Sequence, residues 1–283
     1  MDPVNILTIA RKELRDALRN RWFVLFTIAF AGLALALSAL SQPSGTELRL
    51  SSYSRTAASL INLVLLFVPL ISLTLGTSGL ASDRETGALA YLLAQPVNHT
   101  EVLMGKYVGT AVALMASLML GFGVAGVALT MQGQSSDPGS YILTVLFACL
   151  LALAMLSVGF LIGVVVRKTS TAVTGGLFAW LLLVFVGDLG LMGATVVTQM
   201  PIHSVFWIAS INPLQMFKIS AILNIQANLE VLGPVGIYAT EQYGMTLLPM
   251  MIIGLLLWIL LPLALALFVL SNHSLITLKR KAT

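Results

Sequence analysis

Residues 141–166 read YILTVLFACLLALAMLSVGFLIGVVV, and none of these 26 side chains is charged. The hydrocarbon core of a bilayer is about 30 Å thick and is crossed by about 20 helical residues, so this stretch is long enough to span it. An uninterrupted apolar run of this length is too long for a strand and lacks the polar side of a surface helix. The stretch therefore predicts a transmembrane helix.

Five more apolar segments of similar length are spread along the chain. Together they predict six transmembrane helices, at residues 22–40, 57–80, 108–131, 141–166, 172–197 and 245–270. The first is longer than the apolar core of a signal peptide, so we interpret it as a helix that is retained. The expected fold is an all-α membrane protein, with an N-terminal segment at 1–21 and a six-helix domain at 22–283.

The composition of the whole chain supports this class. Of its 283 residues, 58% are hydrophobic and 9% are charged, and the mean hydropathy is +0.97. Soluble domains carry about 25% charged residues, so this composition argues against a soluble enzyme. The single cysteine, Cys149, excludes an internal disulfide and a zinc site built from cysteines alone.

The positions of the basic residues predict the orientation. If the N-terminus is cytoplasmic, only Arg49, Arg55 and Lys218 of the 15 Lys and Arg residues fall on the outer side. Basic residues in short loops stay cytoplasmic, so we expect both termini inside. This arrangement explains the net charge of +4 and calls for no nucleic-acid partner.

Residues 1–21 predict an amphipathic helix. Asp2 followed by Pro3 is a favourable pair for a helix start. Leucines and arginines then recur at helical spacing on different sides: Leu7, Leu14 and Leu18, and Arg11, Arg15 and Arg19. Such a helix is expected to lie in the inner headgroup layer, in contact with lipid. A basic leader that only orients the chain is the alternative.

The inner loop at 82–100 carries two capping-box patterns, in which Ser or Asn is followed three residues later by Glu. The pairs are Ser82 with Glu85 and Asn98 with Glu101. The first pair predicts a short helix that begins at Asp83 and ends before Pro96, with Leu89, Leu92 and Leu93 on one side. The second pair predicts the start of the next helix. The short helix is either offered to a partner or is a packed connector.

The outer connection at 198–245 contains Asn212 and Pro213, another pair that favours a helix start. The helix that follows is too polar to span a membrane. We expect it to lie at the outer interface or to dip into the membrane, where it could act as a lid or as a docking surface for an extracytoplasmic partner.

Two catalytic patterns are incomplete. Residues 163–170 are similar to the end of a phosphate-binding loop, but Arg167 stands where a glycine is needed, so the chain does not bind ATP by that route. Residues 76–79, GTSG, with His273, would fit an intramembrane serine protease of the rhomboid kind. Glycine and serine are also favoured helix-packing residues in membranes, and packing is the alternative.

Asp188 is the single acid inside an apolar run. Burying an ionisable group in a membrane is costly, so Asp188 is a candidate functional residue, although it could simply reach the outer interface. Met115, Met119, Cys149 and Met155 could be soft-metal ligands or ordinary apolar filler, and we predict no metal site from them. The Gly159 and Gly163 pair predicts a close helix contact.

Two sets of residues carry a family resemblance. The first is residues 10–16, ARKELRD, before the first span. The second follows the second span and consists of Asp83, Arg84, Glu85, Thr86, Gly87, Leu92, Leu93, Pro96, Val97, Gly105 and Lys106. In this order, with six spans and an interfacial helix, the chain resembles the ABC-2 type permeases, the membrane subunits of ABC exporters.

This resemblance implies that the chain is non-catalytic and that ATP and Mg²⁺ bind to a separate ATPase. The helix predicted at Asp83 would be the coupling helix that enters a cleft of the ATPase, with the end of the N-terminal helix beside it. The implied coupling residues are Arg11, Lys12, Glu13, Asp83, Arg84, Glu85, Thr86 and Gly87.

A narrower resemblance rests on residues 18–22, LRNRW, on Asp188 with Leu189, and on Asn212 with Pro213. These resemble the permeases of the Nos system, which supports assembly of the copper–sulfur centres of nitrous-oxide reductase. The resemblance implies a homodimer in the bacterial inner membrane, two cytoplasmic ATPase subunits and a periplasmic solenoid protein. Asp188 would belong to the translocation path, and Asn212 and Pro213 to the docking surface. An exporter of lipid, drug or polysaccharide, and a scaffold that passes no cargo, are the alternatives.

Overall fold

The computed structural model describes residues 2–40, 49–131, 138–187, 201–224 and 233–281. All regular structure within these ranges is helical, which confirms the predicted all-α class. The helices are α1 (Pro3–Arg19), α2 (Arg21–Leu40), α3 (Arg49–Glu85), α4 (Ala88–Leu93), α5 (His99–Met131), α6 (Pro138–Val165), α7 (Thr169–Phe185), α8 (Ile202–Ile211), α9 (Pro213–Asn224), α10 (Gly233–Tyr243), a 3₁₀ turn (Gly244–Thr246) and α11 (Leu247–Lys281).

Within the described residues, four helices are long and apolar enough to cross a membrane by themselves: α3, α5, α6 and α11. They match the predicted spans at 57–80, 108–131, 141–166 and 245–270. Two bent pairs pass the same test only when each is counted as one span: α1 with α2, bent by 65°, and α8 with α9, bent by 110°. The described chain therefore has four candidate spans by length and composition, or up to six with the bent pairs, and the count of six stays a prediction.

The prediction that a short helix begins at Asp83 is wrong. Helix α3 continues to Glu85, and the Ser82 carbonyl accepts hydrogen bonds from the Thr86 backbone N–H at 2.9 Å and from Thr86 Oγ1 at 2.8 Å. The helix breaks at Gly87, whose φ of 79° disfavours other residues, and α4 begins at Ala88. The Ser82 and Glu85 pattern failed because the same spacing also occurs inside a continuous helix.

Helices α3 and α6 touch along their backbones at a row of glycines. A Cβ atom on Gly76 would lie 2.8 Å from the Leu156 carbonyl oxygen and 2.9 Å from the Gly159 Cα atom. A Cβ atom on Gly163 would lie 3.0 Å from the Thr77 carbonyl oxygen. The close contact predicted from Gly159 and Gly163 is therefore confirmed, and it forms within one chain.

The buried apolar side chains in the described part of the chain form two clusters. The larger one fills the centre of the bundle and includes Phe30, Val68, Phe147, Phe206 and Phe217. The smaller one lies beside α4 and is built mainly from the ends of α3, α5, α6 and α11, which contribute Leu80, Leu103, Phe160 and Leu270 among others. We call this part of the bundle the α4 end.

Helix α9 begins at Pro213, directly after Asn212, as the sequence predicts, and Asn212 also fixes the bend between α8 and α9. Its Oδ1 atom accepts a hydrogen bond from the Leu214 N–H at 3.0 Å, and its Nδ2 atom donates to the Leu183 carbonyl at 2.6 Å. Nearly all of α9 is buried. The helix after the 110° bend is thus packed inside the bundle, and whether it dips into the membrane or lies at the outer interface stays a prediction.

Candidate functional site

The α4 end contains a buried ionic cluster built from three helices. Lys106 of α5 is only 2% exposed, and its Nζ atom lies 2.6 Å from Glu13 Oε1 of α1 and 2.5 Å from Asp83 Oδ2 of α3. Burying a charge is costly unless it is paired, so the ammonium group holds both carboxylates beside it. We call Glu13, Asp83 and Lys106 the Lys106 cluster.

The helices meet here because α5 carries glycines where α1 crosses it. A Cβ atom on Gly105 would lie 2.7 Å from Ile9 Cβ, and one on Gly109 would meet the Ala10 carbonyl oxygen and the Glu13 Cβ atom. The absence of side chains lets α1 lie directly on α5 and brings Glu13 within reach of Lys106.

Glu101 connects the start of α1 to the start of α5 by hydrogen bonds. The residue is 3% exposed, and its carboxylate accepts hydrogen bonds from the Asp2 N–H at 2.8 Å, from Asn5 Nδ2 at 3.1 Å and from the Asn98 N–H at 3.3 Å. The bond from the Asn98 N–H is one of the two bonds of the second predicted capping box, and α5 begins at His99, as that pattern predicts. The bonds from α1 were not predicted, because they depend on packing between residues almost 100 positions apart in the sequence.

The last two residues of α3 cap both helices at the turn between α6 and α7. Arg84 Nη1 donates to the Val164 carbonyl at the end of α6, and Glu85 Oε2 accepts from the Thr169 N–H at 2.9 Å at the start of α7. Helix termini leave unpaired carbonyl and N–H groups, and α7 has no side-chain cap from its own N-cap residue, Lys168. Arg84 and Glu85 therefore join the α3 end to two further helices.

The segment that joins α3 to α5 has one exposed side and one side that is packed against the bundle. Thr86 and Gly87 are exposed, and Tyr91 of α4 is 72% exposed. Leu89 is buried, and Leu92 and Leu93 pack against the same cluster, as predicted from their spacing. Helix α4 is thus a short, packed element with one free side.

Of the eight predicted coupling residues, the structure brings Glu13 and Asp83 together through Lys106. Arg11 and Lys12 lie on the exposed surface of α1, and Lys12 Nζ is 3.5 Å from Glu13 Oε1 and 3.4 Å from Asp16 Oδ2. Sequence reasoning treated Lys106 only as part of a family pattern and missed its role as the shared cation. The available signal in the sequence was a lysine close to the start of a long apolar helix, which has to find a counter-charge if it is buried.

The other candidates lie elsewhere. Ser78 Oγ donates to the Thr74 carbonyl of its own helix at 2.6 Å, which agrees with helix packing as the role of GTSG. The His273 side chain and Asp188 lie outside the described residues. Among described residues, no three His, Cys, Asp or Glu side chains are placed to hold a metal ion. Asn212 and Pro213 are buried, so a partner could not touch them without movement of α8 and α9.

The fold and this site define a polytopic helical membrane protein in which the helices of one end are joined by ionic contacts beneath a short surface helix. The chain belongs to the ABC-2 family of transporter proteins, whose family profile matches residues 7–275. It is accordingly a multi-pass permease of an ABC transporter. Permeases of this class are generally non-catalytic and work with an ATPase subunit.

Two curated relatives carry the same name, "Probable ABC transporter permease protein NosY". The protein from Stutzerimonas stutzeri is 28% identical over 234 residues, which cover 81% of this chain and 85% of the relative. The protein from Pseudomonas aeruginosa is 27% identical over 220 residues, which cover 76% of this chain and 80% of the relative. The chain is therefore similar to NosY permeases over most of its length.

Proposed function

We propose that the α4 end is the cytoplasmic coupling site, at which a separate ATPase drives the permease. The observation that carries this proposal is the Lys106 cluster, which joins α1, α3 and α5 directly behind α4. A pushed element moves its neighbours only if it is attached to them rigidly. Short ion pairs between buried groups provide that attachment, whereas a solvated loop would absorb the displacement.

The contacts of Arg84 and Glu85 extend the same junction to α6 and α7. A displacement of α4 would reach α3 through Gly87 and then pass to the α6–α7 turn through these two side chains. Five of the helices thus meet at one end of the molecule, and ATP-driven closure of two ATPase subunits would move them together. ATP and Mg²⁺ would bind to the ATPase and not to this chain.

We expect Glu85→Lys to leave the permease folded and to abolish permease-dependent stimulation of the ATPase. Glu85 is exposed, so the change has little effect on packing, but it removes the bond to the Thr169 N–H and places a cation at the positive end of α7. The measurement is ATP hydrolysis by the purified ATPase with and without the permease in nanodiscs. Glu241→Lys, at an exposed carboxylate of α10, is the matched control and should keep full stimulation. Unchanged stimulation by Glu85→Lys would refute the coupling site.

We further propose that the chain acts in the Nos system as a homodimer with two ATPase subunits and a periplasmic solenoid protein, and that it supports assembly of the copper–sulfur centres of nitrous-oxide reductase. Similarity to two NosY permeases over about four-fifths of the chain supports this role. An exporter of lipid, drug or polysaccharide is the alternative. Mild extraction from native membranes separates them: a co-purifying ATPase and repeat protein support the Nos role, and an ATPase alone supports a generic exporter.

We expect the proposed role in copper-centre assembly to depend on the side chain of Asp188. Gly187, the last described residue before it, lies against α9, since a Cβ atom there would be 2.7 Å from Gln215 Nε2 and 2.8 Å from Asn212 Nδ2. Asp188 follows Gly187 in the sequence, and an ionisable residue inside an apolar run is a candidate for a path that carries copper or a sulfur species. Asp188→Asn should impair copper-centre maturation, measured by the absorption spectrum of nitrous-oxide reductase from the host, and Asp188→Glu should retain it. If the Asp188→Asn variant still supports full maturation, Asp188 has no part in the path and simply reaches the outer interface of the membrane.

A further inference from the structure

Helix α1 has three distinct sides. One side packs on α5 and carries the buried Ala10 together with the partly buried Ile6, Ile9, Glu13 and Ala17. A second side is apolar and open, with Leu7 70% exposed and Leu18 52% exposed. The third side is a row of exposed arginines at spacing i, i+4, which consists of Arg11, Arg15 and Arg19.

The geometry of a helix fixes how these sides are arranged. Successive residues are rotated by about 100° about the helix axis, so the arginine row lies about 80° from the leucine row and roughly opposite the side that packs on α5. In the interfacial position that the sequence predicts for α1, these exposed leucines are buried in the acyl region. The arginines then extend sideways, away from the helix bundle and at the depth of the lipid headgroups.

The arginine row has no counter-charge within the described part of the chain. Lys12, in the same helix, contacts Glu13 and Asp16, whereas none of the three arginines forms an ion pair or a side-chain hydrogen bond with another described residue. Like charges at i, i+4 on a helix repel each other and destabilise it. Anions held along the row would remove this repulsion.

We propose that Arg11, Arg15 and Arg19 form a binding surface for the headgroups of anionic phospholipids. Charge complementarity and the sideways direction of the row select this occupant, because an ATPase would approach the cytoplasmic side of α1, on which Lys12 and Asp16 lie. Glu13, on the opposite side of the same helix, is held by Lys106. Anionic lipid bound to this row therefore holds α1 in the membrane surface. Helix α1 is also the helix that supplies Glu13 to the Lys106 cluster.

The test measures lipid selectivity of the full-length permease alone, without an ATPase, so that its outcome is independent of the coupling proposal. The purified chain is reconstituted in phosphatidylcholine vesicles with a small amount of spin-labelled phosphatidylglycerol or spin-labelled phosphatidylcholine. Electron paramagnetic resonance then gives the motionally restricted fraction of each lipid. We expect the wild type to prefer phosphatidylglycerol and to lose that preference as salt is raised, because surface charges are screened.

The variants use Arg15 and Arg19, which are not among the predicted coupling residues. Each basic residue near an anionic headgroup changes affinity by about fivefold, so Arg15→Gln with Arg19→Gln should lower the affinity of the row for phosphatidylglycerol by up to about 25-fold. The motionally restricted fraction of phosphatidylglycerol should then fall toward that of phosphatidylcholine. Arg15→Lys with Arg19→Lys should retain the preference. A wild type without preference, a preference that salt does not weaken, or a glutamine variant that matches the wild type would each overturn the proposal.

Discussion

Replacement of Lys106 by methionine is expected to lower the free energy of unfolding by about 3 kcal/mol, because it leaves two carboxylates beside each other without their shared cation. Lys106 is 2% exposed, and the side chains of Glu13 and Asp83 are 13% and 19% exposed, so water does little to compensate for the loss. Methionine keeps roughly the length and the apolar stem of lysine, so the change in the free energy of unfolding measures the loss of the positive charge. Thermal unfolding in detergent, followed by circular dichroism, measures it.

A second variant separates stability from coupling. Lys106→Met combined with Glu13→Gln and Asp83→Asn removes all three charges. Replacing every member of a buried ionic group by an uncharged side chain often changes the free energy of unfolding little. We expect this triple variant to recover most of the lost stability and to remain deficient in ATPase stimulation. If it recovers both, the Lys106 cluster serves folding alone, and the coupling proposal loses its main support.

Long apolar helices were the predictable part of this fold, because bilayer thickness alone sets their length. Residues 141–166 correspond closely to α6, and the start of α5 follows from the capping pattern of Asn98 and Glu101. The end of α3 was not predictable in the same way. A capping pattern identifies a helix start only where the preceding residues are not already helical. Here α3 continues through Ser82 to Glu85, and the chain leaves the helix only at Gly87.

The site was less predictable than the fold, because its contacts join residues far apart in sequence. The resemblance to ABC-2 permeases placed Glu13 and Asp83 in one region, but nothing in their local sequence names Lys106 as their partner. That pairing requires α1 to lie on the glycines of α5, a contact of two surfaces that periodicity does not reveal. Likewise, the caps that Arg84 and Glu85 supply to α6 and α7 arise from tertiary packing at a turn.

The other large effect is expected at the contact between α3 and α6. Gly76→Ala should lower the free energy of unfolding by about 3 kcal/mol, the upper part of the range for overpacking, because the new Cβ atom meets the backbone atoms of Leu156 and Gly159, which cannot rotate away. The matched control is Gly79→Ala, one turn further along α3, where a Cβ atom would have no neighbour within 4 Å. That control should change the stability by less than about 1 kcal/mol, the difference in helix propensity between Gly and Ala.

The pair of alanine variants also tests how α3 moves. If the glycine row fixes α3 to α6, the two helices respond to the ATPase as one body, and Gly76→Ala should reduce ATPase stimulation together with the unfolding temperature. Gly79→Ala should change neither quantity. Equal unfolding temperatures for the two variants would show that α3 and α6 do not depend on direct backbone contact. Loss of stimulation at an unchanged unfolding temperature would instead mean that the contact forms mainly in the driven state.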